Sequence, residues 1–155
     1  MRRLTFFIAV CWYAVGLGLA QDVPRKDFPV KATITSKAND DGRKVSIRIA
    51  LKIDAGWYVL ANPTGNVDLV FDELEVKVRG REKFDKLDVK YPKGETVKER
   101  VIGEYNIYRD TVVVEVDVTR MAKDTGPLEV EVFVRPFNNR LSVCIRPDVI
   151  KHRIP

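Results

Sequence analysis

Val45-Ser46-Ile47-Arg48-Ile49-Ala50-Leu51-Lys52-Ile53 is the stretch on which the fold turns. Apolar side chains hold every odd position, and polar or small ones hold the positions between. That period of two belongs to a strand with one buried face. The pattern recurs where Leu74, Val76 and Val78 alternate with Glu75, Lys77 and Arg79, and where Val112, Val114, Val116 and Val118 run with Glu115 and Asp117 among them. Leu128, Val130, Val132 and Val134 repeat it once more. Shorter strand-like pieces cover 30–34, 87–91 and 97–101. Asn39-Asp40-Asp41-Gly42, Pro92-Lys93-Gly94 and Thr125-Gly126-Pro127 supply the turn signals between strands. One helical turn is predicted over 119–123. Seven or more short strands, each burying one side, define an all-β, immunoglobulin-like antiparallel β-sandwich, with a closed barrel as the rival architecture.

The chain has 155 residues, 45% hydrophobic and 32% charged, enough for one domain with a real core. Its first 20 residues read differently. Met1-Arg2-Arg3 is a basic head, 4–20 is apolar, and Gly18 and Ala20 give the small-residue spacing that a signal peptidase cuts before Gln21. The predicted organisation is a signal peptide at 1–20, a lead-in at 21–29 and a single sandwich domain at 30–155. The apolar run is short for a membrane span, so membrane contact is expected only if the signal segment stays uncleaved. Cleavage removes Arg2 and Arg3 from 27 basic residues, leaving 25 against 22 acidic ones, a net +3. Interleaved charges at that level are too mild to argue for nucleic acid, so no nucleic-acid partner is expected. Cleavage also removes Cys11, so the mature chain holds one thiol, Cys144, and no internal disulfide.

Candidate chemistry is sparse. Asp40-Asp41 and Asp72-Glu73 pair carboxylates at strand ends, where acids form turns and solvated rims. His152 is the lone histidine, and a zinc site needs three or four donors, so no metal and no cofactor are expected. A Cys144–His152 nucleophile–base pair has no supporting context. No glycine loop cradles a phosphate. Asn62-Pro63-Thr64 has proline at the position that bars glycosylation. Two stretches stand out. Gly56-Trp57-Tyr58-Val59-Leu60-Ala61-Asn62-Pro63 sets two aromatics after a strand, with a tryptophan plug in the core as the plain reading. Phe137-Asn138-Asn139-Arg140-Leu141-Ser142-Val143-Cys144-Ile145-Arg146-Pro147 places the thiol between two arginines.

In order and spacing these stretches resemble the N-terminal periplasmic domain of DsbD-type thiol:disulfide interchange proteins, the disulfide bond corrector domains. The resemblance runs from strand 45–54 into the Gly-Trp-aromatic element ending at Asn62-Pro63. It continues through Lys90-Tyr91-Pro92-Lys93-Gly94 and Gly103-Glu104-Tyr105, and ends at Val132-Phe133-Val134-Arg135 and Cys144-Ile145-Arg146-Pro147. It implies an immunoglobulin-like sandwich, periplasmic or secreted after signal cleavage. In the family, two cysteines on a late hairpin take electrons from a membrane electron carrier and pass them to thioredoxin-like oxidoreductases. Such exchange needs one thiol to attack and another to resolve the mixed disulfide.

This chain departs from the pattern at that pair. Cys144 matches the second family cysteine, and the first should fall at Asn138 or Asn139, where no thiol stands. Pro136-Phe137 replaces a tyrosine and a polar residue. The family's capping loop should follow Pro63, yet 64–68 offers no feature for that role. Three readings of Cys144 are open. It is a buried remnant among Leu141, Val143 and Ile145; or a single reactive thiol favoured by Arg140 and Arg146; or part of some other site. The resemblance implies a protein-docking module of a redox relay that cannot cycle a dithiol alone, with Phe137, Asn138, Asn139, Arg140, Arg146, Trp57 and Tyr58 as the docking surface. The alternative is a non-enzymatic sandwich that binds a protein or glycan of the envelope. Relatives usually carry membrane and thioredoxin-like domains after this one, and the sequence here stops at Pro155, so the expectation is either work with separate partners or departure from the relay.

Overall fold

A computed structural model describes residues 28–122, 124–138 and 140–155. The signal segment, most of the lead-in, Lys123 and Asn139 lie outside the described residues. In chain order the strands are β1 (Val30–Ala38), β2 (Lys44–Ile53), β3 (Tyr58–Leu60), β4 (Glu75–Arg79), β5 (Phe84–Lys90) and β6 (Glu95–Glu99). They continue as β7 (Gly103–Tyr108), β8 (Thr111–Arg120), β9 (Leu128–Val134), β10 (Pro136–Asn138), β11 (Val143–Cys144) and β12 (Asp148–Ile154). A 3₁₀ helix, Val67–Asp72, follows β3.

Strand pairing makes three sheets, ordered β1-β2-β8-β5, β12-β9-β4 and β11-β10-β3-β7-β6. Each keeps two edge strands, so the barrel alternative fails and the fold is an immunoglobulin-like sandwich. The alternation read in 45–53 decides the register. Val45, Ile47, Ile49 and Leu51 on β2 stand opposite Val118, Val116, Val114 and Val112 on β8. All eight are buried, in one core with Val76 and Val78 of β4 and Leu128, Val130, Val132 and Val134 of β9. The polar positions face water as an ion-pair ladder: Lys90 Nζ meets Asp117 at 2.7 Å, and Ser46 donates to the same carboxylate at 2.8 Å. Exposed pairs of this kind add about 0–1 kcal/mol each, so stability rests on the apolar face.

Three expectations need adjustment. The turn predicted over 119–123 is not helical at its start, because β8 continues through Thr119 and Arg120, opposite Lys86 and Phe84. Cross-strand pairing overrides local preference there. The strand predicted over 97–101 ends at Glu99, and Val101 sits in the following turn. Phe28, assigned to the lead-in, is buried in the core, and Asp54 N–H donates to the Pro29 carbonyl at 2.8 Å.

Two buried tyrosines and one half-buried tyrosine give the fold a pH limit. Burial is the main cause that raises the hydroxyl pKa of Tyr91, Tyr105 and Tyr108 above 10.0. Raised folded-state values mean that the folded protein holds its phenolic protons more tightly than the unfolded chain. That stability is complete below the unfolded tyrosine pKa and is lost as pH rises above it. Alkaline unfolding followed by circular dichroism is expected to coincide with phenolate absorbance. Phenolates appearing well before the loss of structure would contradict the burial of these hydroxyls.

Candidate functional site

Cys144 sits at the rim of the five-stranded sheet, on a hairpin formed by β10 and β11. The register places Phe137 opposite Cys144 and Asn138 opposite Val143. Ile145 N–H donates to the Pro136 carbonyl at 3.1 Å, which makes the neighbouring Phe137–Cys144 pair a non-hydrogen-bonded one. Asn138, 6% exposed, turns its amide oxygen into the connecting loop and accepts from Leu141 N–H at 3.1 Å. Ser142, at φ 52°, takes the left-handed conformation that closes the turn.

The file continues inward. Tyr58 on β3 lies opposite Phe137, and their rings stack at 5.6 Å with an interplanar angle of 20°. Tyr58, Phe137 and Cys144 therefore line up across three strands on one face of the sheet. A turn sets up that geometry: Trp57 N–H donates to the Asp54 carbonyl at 3.0 Å, with Gly56 at φ 84°, a value that disfavours any side chain. Because successive residues point to opposite faces, Trp57 packs against the main core while Tyr58 joins a second cluster with Leu60, Tyr105 and Ile107. Leu69, Val97 and Phe137 close over that cluster. The Tyr105 hydroxyl donates to Glu99 Oε1 at 3.1 Å, and burial, then its bond to Tyr58, raises its pKa.

The buried-remnant reading of Cys144 is corrected here. The thiol is exposed, and the residues expected to enclose it, Leu141 and Val143, are 63% and 44% exposed. Both residues of the edge strand β11, Val143 and Cys144, are exposed. The segment after Pro63 is also more structured than its sequence suggests. Asn66 caps the 3₁₀ helix through its side-chain oxygen, which accepts from Asp68 N–H at 3.0 Å. Leu69 roofs the second cluster, while Phe71 is 87% exposed. At the helix end, Asp72 and Arg135 pair at 2.5 Å, fixing it to the residue before β10.

The predicted site residues thus divide. Phe137, Tyr58 and Cys144 are brought together, with Asn138 beside them in the hairpin. Trp57 faces the core. Arg140 and Arg146 are exposed near the thiol in sequence, and no ion pair engages either among the described residues. Asn139 lies outside the described residues. His152 stands on β12, in a different sheet. Among the described residues no group of three or more His, Cys, Asp or Glu is placed to hold a metal ion. Tyr105 and the 3₁₀ helix escaped sequence reading, although Gly103-Glu104-Tyr105 was part of the family pattern.

An immunoglobulin-like sandwich with a thiol on a late hairpin is the plan of an interchange domain. The family profile "Thiol:disulfide interchange protein DsbD, N-terminal" matches residues 26–150, and the chain belongs to that family. Its fold is similar to the N-terminal periplasmic domain of ScsB from Proteus mirabilis, at TM-score 0.62 and 16% identity, over 86% of this chain and 49% of that one. The chain spans about half the length of that structure. It is also similar to the Neisseria meningitidis DsbD N-terminal domain in the reduced form, at TM-score 0.51 and 17% identity, covering 79% of this chain and 82% of that one. A third likeness, at TM-score 0.51 and 15% identity over 86% and 88% of the two chains, is to a structure of the complex between the DsbD and PilB N-terminal domains of Neisseria meningitidis. No curated protein matches by sequence. No helix among the described residues is long and apolar enough to cross a membrane.

Proposed function

We propose that this domain is a periplasmic docking module that offers one thiol, Cys144, to a thioredoxin-like oxidoreductase or a membrane electron carrier. The observation that carries the reading is the exposed Cys144 beside the Tyr58–Phe137 stack. Exposed Leu141 and Val143 flank it, and Phe71 projects from the neighbouring helix. The related DsbD domain captured with the PilB N-terminal domain supports a protein partner.

The chemistry open to one thiol is limited. The Cys144 thiolate attacks one sulfur of a partner's disulfide and releases the other as a thiolate, which takes up a proton. The product is a mixed disulfide, with the partner's freed thiol as its resolving group. Among the described residues no second cysteine competes, so the domain cannot end as an internal disulfide.

Native-state maleimide labelling of Cys144 is expected to run as fast as labelling of the urea-unfolded chain. Insulin reduction by the mature domain is expected to show no turnover beyond one equivalent. Labelling at least a hundredfold slower than in urea, or sustained turnover, would overturn the reading. A binding role without thiol chemistry gains support from the apolar rim itself. It is separated by Cys144→Ser, which abolishes the mixed disulfide but leaves non-covalent docking intact.

A further inference from the structure

The outer face of the three-stranded sheet carries its charges in rows. Register sets Lys77, Glu131 and Lys151 side by side, and Arg79, Glu129 and Arg153 in the next row. Each glutamate of β9 stands between two cations. Glu131 is engaged twice, by Arg79 at 3.2 Å and by Lys151 at 3.4 Å. Glu129, Arg81 and Arg153 form no ion pair among the described residues. Arg79, Arg81, Arg153, Glu129, Gly80 and Pro127 line a notch of about 380 Å³ at this end of the sheet.

A buried cation reaches the turn that leads into that notch. Arg120, 4% exposed, is the last inward-facing residue of β8. It donates from Nη1 to the Gly126 carbonyl, and its buried Nε has no partner. Among the described residues no carboxylate pairs with it. A Cβ placed on Gly126 would lie 3.2 Å from the Arg81 Cβ, so the buried Arg120 and the exposed Arg81 both approach the turn at Gly126. Asp124 stands in the same turn; its Oδ1 accepts from Gly126 N–H at 3.0 Å, and its Oδ2 is buried without a partner. Arg79, Arg81, Arg120, Lys151 and Arg153 therefore outnumber Glu129, Glu131 and Asp124. A buried guanidinium with no ion-pair partner is costly, and it adds positive charge to the turn that precedes Pro127 in the notch wall.

We propose that the notch binds a phosphate-bearing anion, gripped by Arg81 and Arg153 beside the turn that the buried Arg120 holds at Gly126. The guanidinium fork matches phosphate oxygens two at a time. Side chains directly opposite on paired strands have Cβ atoms about 5 Å apart, so Arg79 and Arg153 flank Glu129 across roughly 10 Å, wide enough for a diphosphate. The site is separate from the thiol. It lies at the Leu128 end of β9, whereas the Cys144 hairpin follows the Val134 end, about 20 Å away along the strand.

The test uses inorganic pyrophosphate, titrated calorimetrically into the domain at constant ionic strength. Saturable binding is expected, with Arg81→Gln and Arg153→Gln each weakening it about tenfold and Glu129→Gln tightening it. Maleimide labelling of Cys144 should stay unchanged in all three variants, which keeps this site distinct from the thiol face. No saturable binding, or equal affinity in the Arg81→Gln/Arg153→Gln double variant, would overturn the proposal. Vesicles identify the source of the phosphate. Co-sedimentation with phosphatidylglycerol but not phosphatidylcholine, displaced by pyrophosphate, assigns it to a lipid headgroup. Pyrophosphate binding without co-sedimentation assigns it to soluble phosphate. Co-sedimentation without pyrophosphate binding also overturns the notch, because diffuse charge then accounts for the attraction.

Discussion

Phe137→Cys is expected to give the domain a working dithiol. The residue facing Cys144 across the hairpin is Phe137. A non-hydrogen-bonded antiparallel pair brings Cα atoms to about 4.5 Å, inside the range a disulfide tolerates. The same exchange at Asn138, one of the two positions indicated by family spacing, is expected to oxidise more slowly. Asn138 opposes Val143, and its side chain is buried and bonded within the loop. Losing the Tyr58–Phe137 stack costs about 0.5–1.5 kcal/mol beyond the burial of the ring. A disulfide closing so short a loop returns about 2 kcal/mol, leaving stability nearly unchanged. The measurement is maleimide counting before and after reduction. Oxidised Phe137→Cys should label at no site and the reduced form at two, and insulin reduction should become catalytic when a reductant is supplied. Two free thiols after air oxidation would show that the hairpin register differs from Phe137 opposite Cys144.

How legible this molecule was depends on strand length. β2, β8 and β9 each alternate over seven residues or more, so one-sided burial is written into their sequence. β3 has three residues, all buried, because one face meets the main core and the other the Tyr58 cluster; a strand covered on both faces has no period to read. The hairpin carrying the thiol is shorter still. Its cysteine was open to a buried reading because free cysteines are usually buried, a tendency that depends on there being something to be buried under. Arg120 shows the opposite difficulty. Beside Met121 and Ala122 it suits a helical turn, yet its N–H donates to the Arg43 carbonyl at 2.8 Å and its side chain goes inward. The missing first cysteine was plain from sequence. That its partner thiol remains accessible was not.

The second large effect is expected in the core. Ile49→Ala removes a side chain that is fully buried between the β8 valines and the facing sheet. Truncation of this kind costs about 2–5 kcal/mol, from lost burial plus the cavity that remains. A domain of this size typically has about 5–15 kcal/mol in total, and no disulfide links the described residues. The melting temperature should fall by roughly 10 °C, and the urea midpoint should drop with an unchanged slope. Arg48→Ala is the control. It lies next in sequence but faces water, holding Glu115 at 3.5 Å with both side chains more than half exposed. Removing so exposed a partner should change stability by less than about 0.5 kcal/mol. The contrast between neighbours tests the register itself, since a slip of one residue would exchange their faces. Equal losses at the two positions would mean that β2 does not bury the odd-numbered face, and the placement of the thiol hairpin, built on the same core, would fall with it.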